Sequence, residues 1–559
     1  MDDRPAAARP PALSAPHEVL NQPPPLEGVN LYESDRALAE AARREGGAFA
    51  EERLRRLGAV AGSAEVIRLA DQANRFPPEL KTHDRFGHRL DAVEFHPAYH
   101  ALMSLAVEHR VASLAWAEPR PGAHVARAAL AFLWGQAEAG TSCPMAMTFA
   151  GIPALRRQPE LAAEWEPCFL SARYDPRFVP ATAKAGATFG MAMTEKQGGS
   201  DVRANSTRAE PLGVRGPGRE YRLVGHKWFC SAPMSDAFLT LAYAEGGLSC
   251  FFVPRFLPDG ERNAIRLLRL KSKLGNRANA SAEIEYEGAW ARLVGEEGRG
   301  VPTIIEMVQG TRLECAVGSA ALMRQALVQA LHHCSHRSAF QRRLIDQPLM
   351  RNVLADMALE SEAATALALR LARAFDEGGE DEGARCFARI ATAIAKYWTC
   401  KRAPALVGEA LECHGGNGYV EESPLPRLYR EAPVNSIWEG SGNVICLDVL
   451  RAIEREPGSL EALLAELDAA RGQDHRYALC LDRLKDELAR REAAESRARR
   501  LVEAMALLLQ ASLLLRHAPP PLADAFCTAR LQGDAGLAFG TLPPGADLAA
   551  IIERARPLS

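Results

Sequence analysis

The chain has no C-x-x-C pair and no clustered Cys/His spacing, although it carries 12 cysteines among 559 residues. The common zinc-site patterns are therefore excluded. Scattered cysteines in mostly apolar settings suit a reducing compartment, where they act as small hydrophobes. Strong charge of one sign is also missing: the net charge is -3 and the pI about 6.6. Nothing global points to nucleic acid or a membrane surface, so any basic patch must be local. The first residues, Asp2 and Asp3, do not begin a basic segment followed by an apolar one, so no secretory signal is read. The longest apolar run, Leu501 to Leu515, is interrupted by Glu503 and Gln510. It is too short and too polar to span a bilayer. A cytoplasmic protein with no membrane partner is expected. His332 and His336 are spaced i, i+4, but no Glu lies between them and Arg337 adjoins, so no metal is expected.

What is present is ordinary globular composition, 47% hydrophobic and 25% charged, in a chain long enough for three or four domains. Residues 1–30 are proline-rich (Pro10, Pro11, Pro16, Pro23, Pro24, Pro25) and read as an extended arm. From 31 to 181 the pattern is helical. Ser34 and Asp35 can cap a helix starting at Arg36, and Leu102, Leu105 and Ala106 form an i, i+3, i+4 stripe. From 182 to 295 glycine, β-branched and aromatic residues come in short runs, and Ala282 to Tyr286 alternates with period 2. This reads as a compact β domain. Helical patterns return over 296–456 and, after Pro457 and Gly458, over 457–559. The expected fold is mainly α around a central β-barrel, with a further helical domain at the C-terminus.

Four segments carry chemistry, and they fall at domain edges. Met191 to Asp201 contains Gly198-Gly199, Thr194 and Ser200, which can cradle a phosphate or a polar ring edge. Gly225 to Ser231 places Trp228 on a strand, where its face can meet a planar ring. Glu412 to Tyr419 is a glycine-rich loop. Asn435 to Asn443 feeds a helix beginning near Val444, and a helix N-terminus attracts anions. Within it Glu439 lies between an indole and glycines. Desolvation there raises a carboxyl pKa, as a base for a weakly acidic C–H requires. Each segment alone also reads as an ordinary glycine-rich turn or a core Trp.

Together and in this order they resemble the acyl-CoA dehydrogenase superfamily. Its Thr-Glu-x-x-x-Gly-Ser-Asp motif is matched by Thr194 to Asp201, its Lys-x-Trp-like strand by Lys227 to Ser231, its Leu-Gly-Gly-x-Gly-Tyr by His414 to Tyr419 with His in place of Leu, and its Tyr-Glu-Gly-Thr by Trp438 to Ser441. Met193 to Val202, Pro254 to Gly260, Lys273 to Arg277 and Pro433 to Asn443 are similar to the AidB-like, adaptive-response branch. The resemblance implies FAD as cofactor, lying between the β domain and the 296–456 helices. It implies FAD contacts from Met191, Met193, Thr194, Gly198, Gly199, Ser200, Trp228, Phe229, Cys230, Ser231, Ile437, Trp438, Gly440, Ser441 and Asn443. Gly415 and Gly416 join them, and Arg337, Phe340 and Gln347 are implied to reach the FAD of a neighbour in a homotetramer. Gln341 and Arg343 depart from the Gly and Pro of that segment. Glu439 takes the base position. The alternative base position, before an arginine on an earlier helix, is Thr311 here, and Glu314 is out of register.

Two functions follow from the resemblance. One is weak α,β-dehydrogenation of a small acyl-CoA. The other is a DNA-binding stress-protection flavoprotein, in which FAD is structural or disposes of an alkylating electrophile. The branch is associated with the alkylation response and with double-stranded DNA bound through the last helical domain. The residues give that reading only local support, since 457–559 holds 13 Lys/Arg against 14 Asp/Glu. On one continuous helix Arg483, Arg490, Arg497 and Arg500 would share a face. Arg451, Arg490, Arg497 and Arg500 are the DNA candidates. Asp486→Arg490, Glu487→Arg491 and Glu495→Arg499 are i, i+4 pairs that suit a solvated face equally.

Overall fold

The computed structural model describes residues 18–490 and 493–557. Asp35 caps the first helix as expected, its carboxylate accepting from the Leu38 N–H at 3.0 Å. That helix, α1 (Arg36–Arg44), leads through α2 (Glu51–Ala61) and α3 (Ala64–Arg75) to a hairpin that the sequence did not announce: β1 (Glu79–His83) and β2 (Arg89–Glu94). The hairpin exists because Asp91, fully buried at φ +47°, accepts from Arg89 Nε at 2.9 Å and from the Leu267 N–H at 3.1 Å. Next come α4 (Pro97–Glu108), α5 (Leu114–Ala117), α6 (Ala123–Ala137), α7 (Ser142–Leu155) and α8 (Pro159–Phe169). Every residue of α6 is buried, and its small side chains allow close packing. A Cβ on Gly135 would stand 3.3 Å from that of Ala321.

The β domain contains a closed barrel, as expected, with five strands in the ring and two more added to it. Its strands are β3 (Phe189–Ala192), β4 (Arg208–Pro211), β5 (Glu220–Ser231), β6 (Ala237–Ala244), β7 (Gly247–Pro254), β8 (Ile265–Leu270) and β9 (Ser281–Val294). The ring runs β4-β5-β9-β7-β6 and closes where β6 returns to β4. Closure leaves no free edge in the ring. Strand β3 adds to β6 and β8 to β9. Tyr221, Leu223, Phe251, Val253, Ile284 and Tyr286 fill the barrel. The register of β5 slips between Lys227 and Cys230. Such a bulge re-aims side chains, here Trp228 and Phe229.

The rest is helical. Three long helices, α9 (Gly300–His336), α10 (Pro348–Glu377) and α11 (Glu382–Cys413), are followed by α12 (Leu425–Glu431) and α13 (Gly442–Arg455). Then come α14 (Pro457–Asp468), α15 (His475–Ala489), α16 (Ala494–His517), α17 (Pro520–Phe526) and α18 (Leu548–Ala555). One hydrophobic core runs through helices on both sides of Pro457. Buried ion pairs tie the C-terminal helices to α10: Arg530 with Asp356, and Arg554 with Glu362 at 2.8 Å. No described helix is long and apolar enough to cross a membrane.

The arginine face expected on one helix is not formed. The chain leaves helical geometry after Ala489, and Ala493 sits at φ +51° before α16 begins. Arg483 therefore belongs to α15, while Arg497 and Arg500 belong to α16. Of the proline-rich arm, Pro10, Pro11 and Pro16 lie outside the described residues. The described part is tied down: Asn21 Nδ2 donates to the Ser338 carbonyl at 2.8 Å, the Ser338 N–H donates to Asn21 Oδ1 at 2.7 Å, and His332 Nε2 meets the Pro24 carbonyl at 2.8 Å.

Candidate functional site

Glu439 lies on the turn between Trp438 and α13 at φ +57°, a left-handed conformation rare outside glycine. Arg312 Nε donates to its carbonyl at 3.0 Å, and Lys396 donates to the next carbonyl, that of Gly440. Arg312 is itself held by Asp448 of α13 at 2.7 Å. Two cations on α9 and α11 thus fix the turn from behind. The Glu439 side chain meets Thr311, whose Oγ1 lies 2.7 Å from Oε2. The residue at the alternative base position therefore touches the carboxylate at the expected base position. Burial raises the Glu439 pKa, opposed by the Thr311 hydrogen bond and the charges of Arg312 and Lys396. The Glu439 N–H has no acceptor among the described residues. It is free to donate to an incoming carbonyl oxygen. Glu314 is no rival, being paired with the buried Arg127.

Thr311 Oγ1 is also within reach of the Val308 and Met307 carbonyls, at 3.1 and 3.3 Å. A hydroxyl has one proton. It donates to Glu439 when the carboxylate is ionised, and turns to a helix carbonyl when the acid donates to it. Because Thr311 favours the ionised form, Thr311→Val is expected to raise the Glu439 pKa further. The acidic limb of the kcat/KM profile then moves to higher pH, since the base must be ionised. An unshifted limb would show that Thr311 does not bear on the base.

On the barrel side, the Thr194 loop is built around a buried ion pair. Glu195 and Lys227, both side chains fully buried, meet at 2.9 Å. Glu195 also accepts from Ser206 N–H at 2.6 Å and from Thr207 Oγ1 at 2.6 Å, and Lys227 donates to the Leu241 carbonyl at 2.7 Å. Burial alone would raise the Glu195 pKa, but the Lys227 charge and these hydrogen bonds hold it down to about 2. The pair joins the two motifs, and the Trp228 N–H donates to the Thr194 carbonyl at 2.7 Å. Lys271 Nζ lies 3.2 Å from the Trp228 ring centroid, and Phe229 is exposed. Gly198 has no room for a side chain, since a Cβ would stand 2.6 Å from Asn205 Oδ1, whereas at Gly199 it would meet only the Thr194 side chain. Met191, Met193 and Trp438 flank one apolar cluster formed by α7, the barrel and the start of α9. The base turn and the barrel motif therefore converge on the same packing face.

Other expected contacts stand apart from this convergence. The Cys230 side chain is buried in the barrel core and is not available to a flavin. Asn443 accepts from Arg499 Nε at 2.8 Å, so its amide oxygen is engaged by α16. Ile437 is exposed, and Ser441 is the N-cap of α13 without a side-chain capping bond. That helix starts at Gly442, two residues earlier than expected. Arg337 is 26 residues beyond Thr311, roughly 39 Å along α9. The hairpin of β10 (Ser338–Ala339) and β11 (Arg342–Arg343) forms despite the missing glycine, because Phe340 and Gln341 both adopt positive φ, +51° and +65°. Gln347 Nε2 braces it at the Ala339 carbonyl, 3.0 Å away, and Phe340 is 93% exposed at its tip. Gly415 and Gly416 are exposed, and a Cβ added at either would meet nothing within 4 Å. Among the DNA candidates, Arg451 pairs with Asp448 at 3.3 Å, and Glu487 holds both Arg490 at 3.0 Å and Arg497 at 2.5 Å. Arg491, the expected partner of Glu487, lies outside the described residues. Arg500 is exposed and makes no ion pair among the described residues.

Sequence reasoning missed Lys227 and Glu195 as a pair, Lys396, and Cys143. The Cys143 thiol lies near Lys273, Glu439, Asn279 and Ser231, and burial pushes it up to about 12, so it stays protonated. Only their places beside Thr194 and Trp228 in the motifs signalled Glu195 and Lys227. No sequence pattern marked Lys396 or Cys143. The donor set fits FAD, which offers a planar ring and an anionic pyrophosphate: an indole beside cations, an open glycine at 199, and a helix N-terminus that Ser441 leaves uncapped.

Comparison with known proteins gives a matching result. Residues 21–176 match the adaptive response protein AidB N-terminal domain, 190–289 the acyl-CoA dehydrogenase middle domain, and 298–454 the acyl-CoA dehydrogenase C-terminal domain. The chain is 50% identical over 523 residues to the acyl-CoA-dehydrogenase-type protein AidB of Escherichia coli strain K12, covering 93% of this chain and 95% of that one. Its fold matches Bd2924 in its apo-form (30% identity, TM-score 0.80, 90% of this chain and 99% of that one). It also matches Caenorhabditis elegans ACDH-11 in complex with C11-CoA (27% identity, TM-score 0.84, 99% and 95%). FAD is the cofactor of this family. With the base turn, the barrel motif and all three domain matches in one order, the chain belongs to the acyl-CoA dehydrogenase family, in its AidB branch.

Proposed function

We propose that the chain binds FAD against Trp228 and the 194–200 loop and removes the α-proton of a small acyl-CoA thioester with Glu439. The observation that carries this reading is the Glu439 turn: a desolvated carboxylate, an unengaged N–H on the same residue, and two cations holding the backbone behind it. Bound FAD supplies the hydride acceptor for the β-carbon. Glu439 accepts the α-proton, and its raised pKa brings it closer to the proton it must take. The Glu439 N–H steadies the charge that develops on the thioester oxygen. The apolar cluster around Met191, Met193 and Trp438 excludes water from the base. The acyl-CoA class is supported by the similarity to ACDH-11, whose structure is a complex with C11-CoA. Exposed Phe340, Tyr419 and Tyr429, at 93, 81 and 47% exposure, support assembly into a homotetramer, in which Arg337, Phe340 and Gln347 serve a neighbour's cofactor. The experiment is anaerobic titration of the FAD-loaded protein with straight and branched acyl-CoAs, read as bleaching of the flavin band. A protein that cannot be loaded with FAD contradicts the reading.

A second reading, a cytoplasmic DNA-associated protein of the alkylation response, draws on the AidB similarity and on exposed Arg483 and Arg500, which make no ion pair among the described residues. The Glu487 pairs weaken it. A charge reversal of Arg483 and Arg500 is expected to lower affinity for a DNA duplex in a low-salt gel shift by about tenfold and to flatten its salt dependence. Unchanged affinity would place any DNA contact elsewhere.

A further inference from the structure

The family resemblance places Ser231 at the flavin, and behind it stands a layer of groups that the proposed chemistry does not use. Strands β5 and β9 run antiparallel and set Ser231 opposite Ser281, which is buried. The two hydroxyl oxygens are 3.2 Å apart. On the far side of Ser281, Lys273 Nζ donates to its Oγ at 3.1 Å and to the Asn279 carbonyl at 2.6 Å. The loop that carries Lys273 is held in place. The Lys271 N–H donates to the Ser281 carbonyl at 2.8 Å, and the Asn276 N–H donates to Glu431 at 2.7 Å. A Cβ on Gly275 would stand 2.2 Å from the Arg430 carbonyl, so the loop lies directly on α12.

Proton count fixes the direction of these hydrogen bonds. An ammonium only donates, and a hydroxyl has one proton. With Lys273 donating to it, Ser281 sends its own proton to Ser231. Ser231 then points its proton away from Ser281. Its neighbour on that side is the Cys143 thiol, and sulfur is a weak acceptor. Lys273 itself makes no ion pair among the described residues. The titratable groups facing it are Cys143 from α7, Glu431 from the end of α12 and Glu138 from the end of α6. Burial lowers the Lys273 pKa to about 8, opposed by these three. Burial pushes Glu431 up to about 7, so it ionises just before Lys273 gives up its proton. Lys273 also borders an open cavity, which gives that proton a path to solvent.

We propose that Lys273 is a positioning residue that acts through Ser281: it makes the Ser231 hydroxyl a donor toward the flavin and so makes the bound cofactor easier to reduce. The inference rests on FAD lying against Ser231. Reduction adds negative charge to the ring, and a donor with a cation behind it stabilises that charge. Once Lys273 is neutral, its lone pair accepts from Ser281. The relay then runs backward, and Ser231 donates to Ser281. The donor toward the flavin is therefore present below about pH 8 and lost above it.

The test is the reduction potential of the FAD-loaded full chain, read anaerobically against redox dyes from about pH 6.5 to 9.5 for wild type, Lys273→Met, Ser281→Ala and Ser281→Thr. At a fixed poise, Lys273→Met is expected to shift the reduced-to-oxidised ratio about tenfold toward oxidised, about 30 mV for a two-electron couple. Ser281→Ala should move it in the same direction, and Ser281→Thr, which keeps the hydroxyl, should stay with wild type. The wild-type plot of potential against pH should bend near 8, and that bend should be missing in Lys273→Met. A residue that only held the loop would change flavin content and leave the bend. If Lys273→Met does not fold, Ser281→Ala against Ser281→Thr decides. In the flavin-free chain, labelling of Lys273 by acetic anhydride should titrate at the same pH. Titration at the ordinary lysine value of about 10.4 would overturn the switch. Equal potentials with the same bend in all loaded proteins would overturn the relay while leaving the FAD reading intact. A wild-type chain that cannot be loaded sinks that reading first, and the relay with it.

Discussion

Glu439→Gln is expected to slow acyl-CoA-dependent bleaching by about 10³-fold while flavin content stays unchanged. The size follows from what a positioned general base contributes, about 10²–10⁴-fold. The substitution is close to isosteric. Arg312 and Lys396 grip the backbone of the turn, not the side chain, so the turn keeps its left-handed form. The N–H of residue 439 remains in place for the thioester oxygen, and substrate affinity should change little. What is lost is the proton acceptor alone. A collapse in flavin content would instead indicate that Glu439 holds the fold of the site. The comparison is made above the Glu439 pKa, where the wild-type base is ionised.

Lys227→Met is expected to cost about 3–5 kcal/mol in the barrel, the usual penalty for stranding a buried charge. Glu195 and Lys227 are both fully buried and face each other at 2.9 Å. Without Lys227, Glu195 keeps its Ser206 and Thr207 donors but loses its only ion-pair partner among the described residues. Its pKa then rises from about 2. The wild-type pair contributes stability above the carboxylate's unfolded pKa, and that stability is lost as pH falls toward 2. In Lys227→Met this acid-dependent loss should shrink. Hydrogen exchange of β5 amides reads the opening free energy directly. The double variant Glu195→Gln with Lys227→Met should recover part of the loss, since no charge is left stranded. A cost below about 1 kcal/mol would contradict the role given to the pair. Flavin affinity should fall along with stability, because this pair joins the Thr194 loop to the Trp228 strand.

The sequence showed the parts whose physics is local. Asp35 caps α1 because an Asp three residues before a helical N–H can only do so there, and the barrel strands follow from period-2 runs between glycines. The hairpin 79–94 was hidden for an equally physical reason. Its strands are short and polar, and a single buried carboxylate, Asp91, docks them. The Glu195–Lys227 pair was invisible because its members are 32 residues apart and only the Thr194–Trp228 contact brings them together. The arginine face failed because i, i+7 spacing has meaning only on an unbroken helix, and the chain turns at Ala493. The motif register puts Thr311 at the alternative base position of the resembled family. That it would touch Glu439 required the pairing of α9 with the turn before α13.

Glu439 acting as base beside bound FAD is the claim on which the proposed chemistry rests. The direct measurement is anaerobic absorbance of FAD-loaded wild type and Glu439→Gln mixed with a panel of acyl-CoAs. Wild type should bleach with at least one small acyl-CoA, and the variant, with the same flavin content, should bleach about 10³-fold more slowly. Bleaching at equal rates in both proteins would contradict the assignment of Glu439.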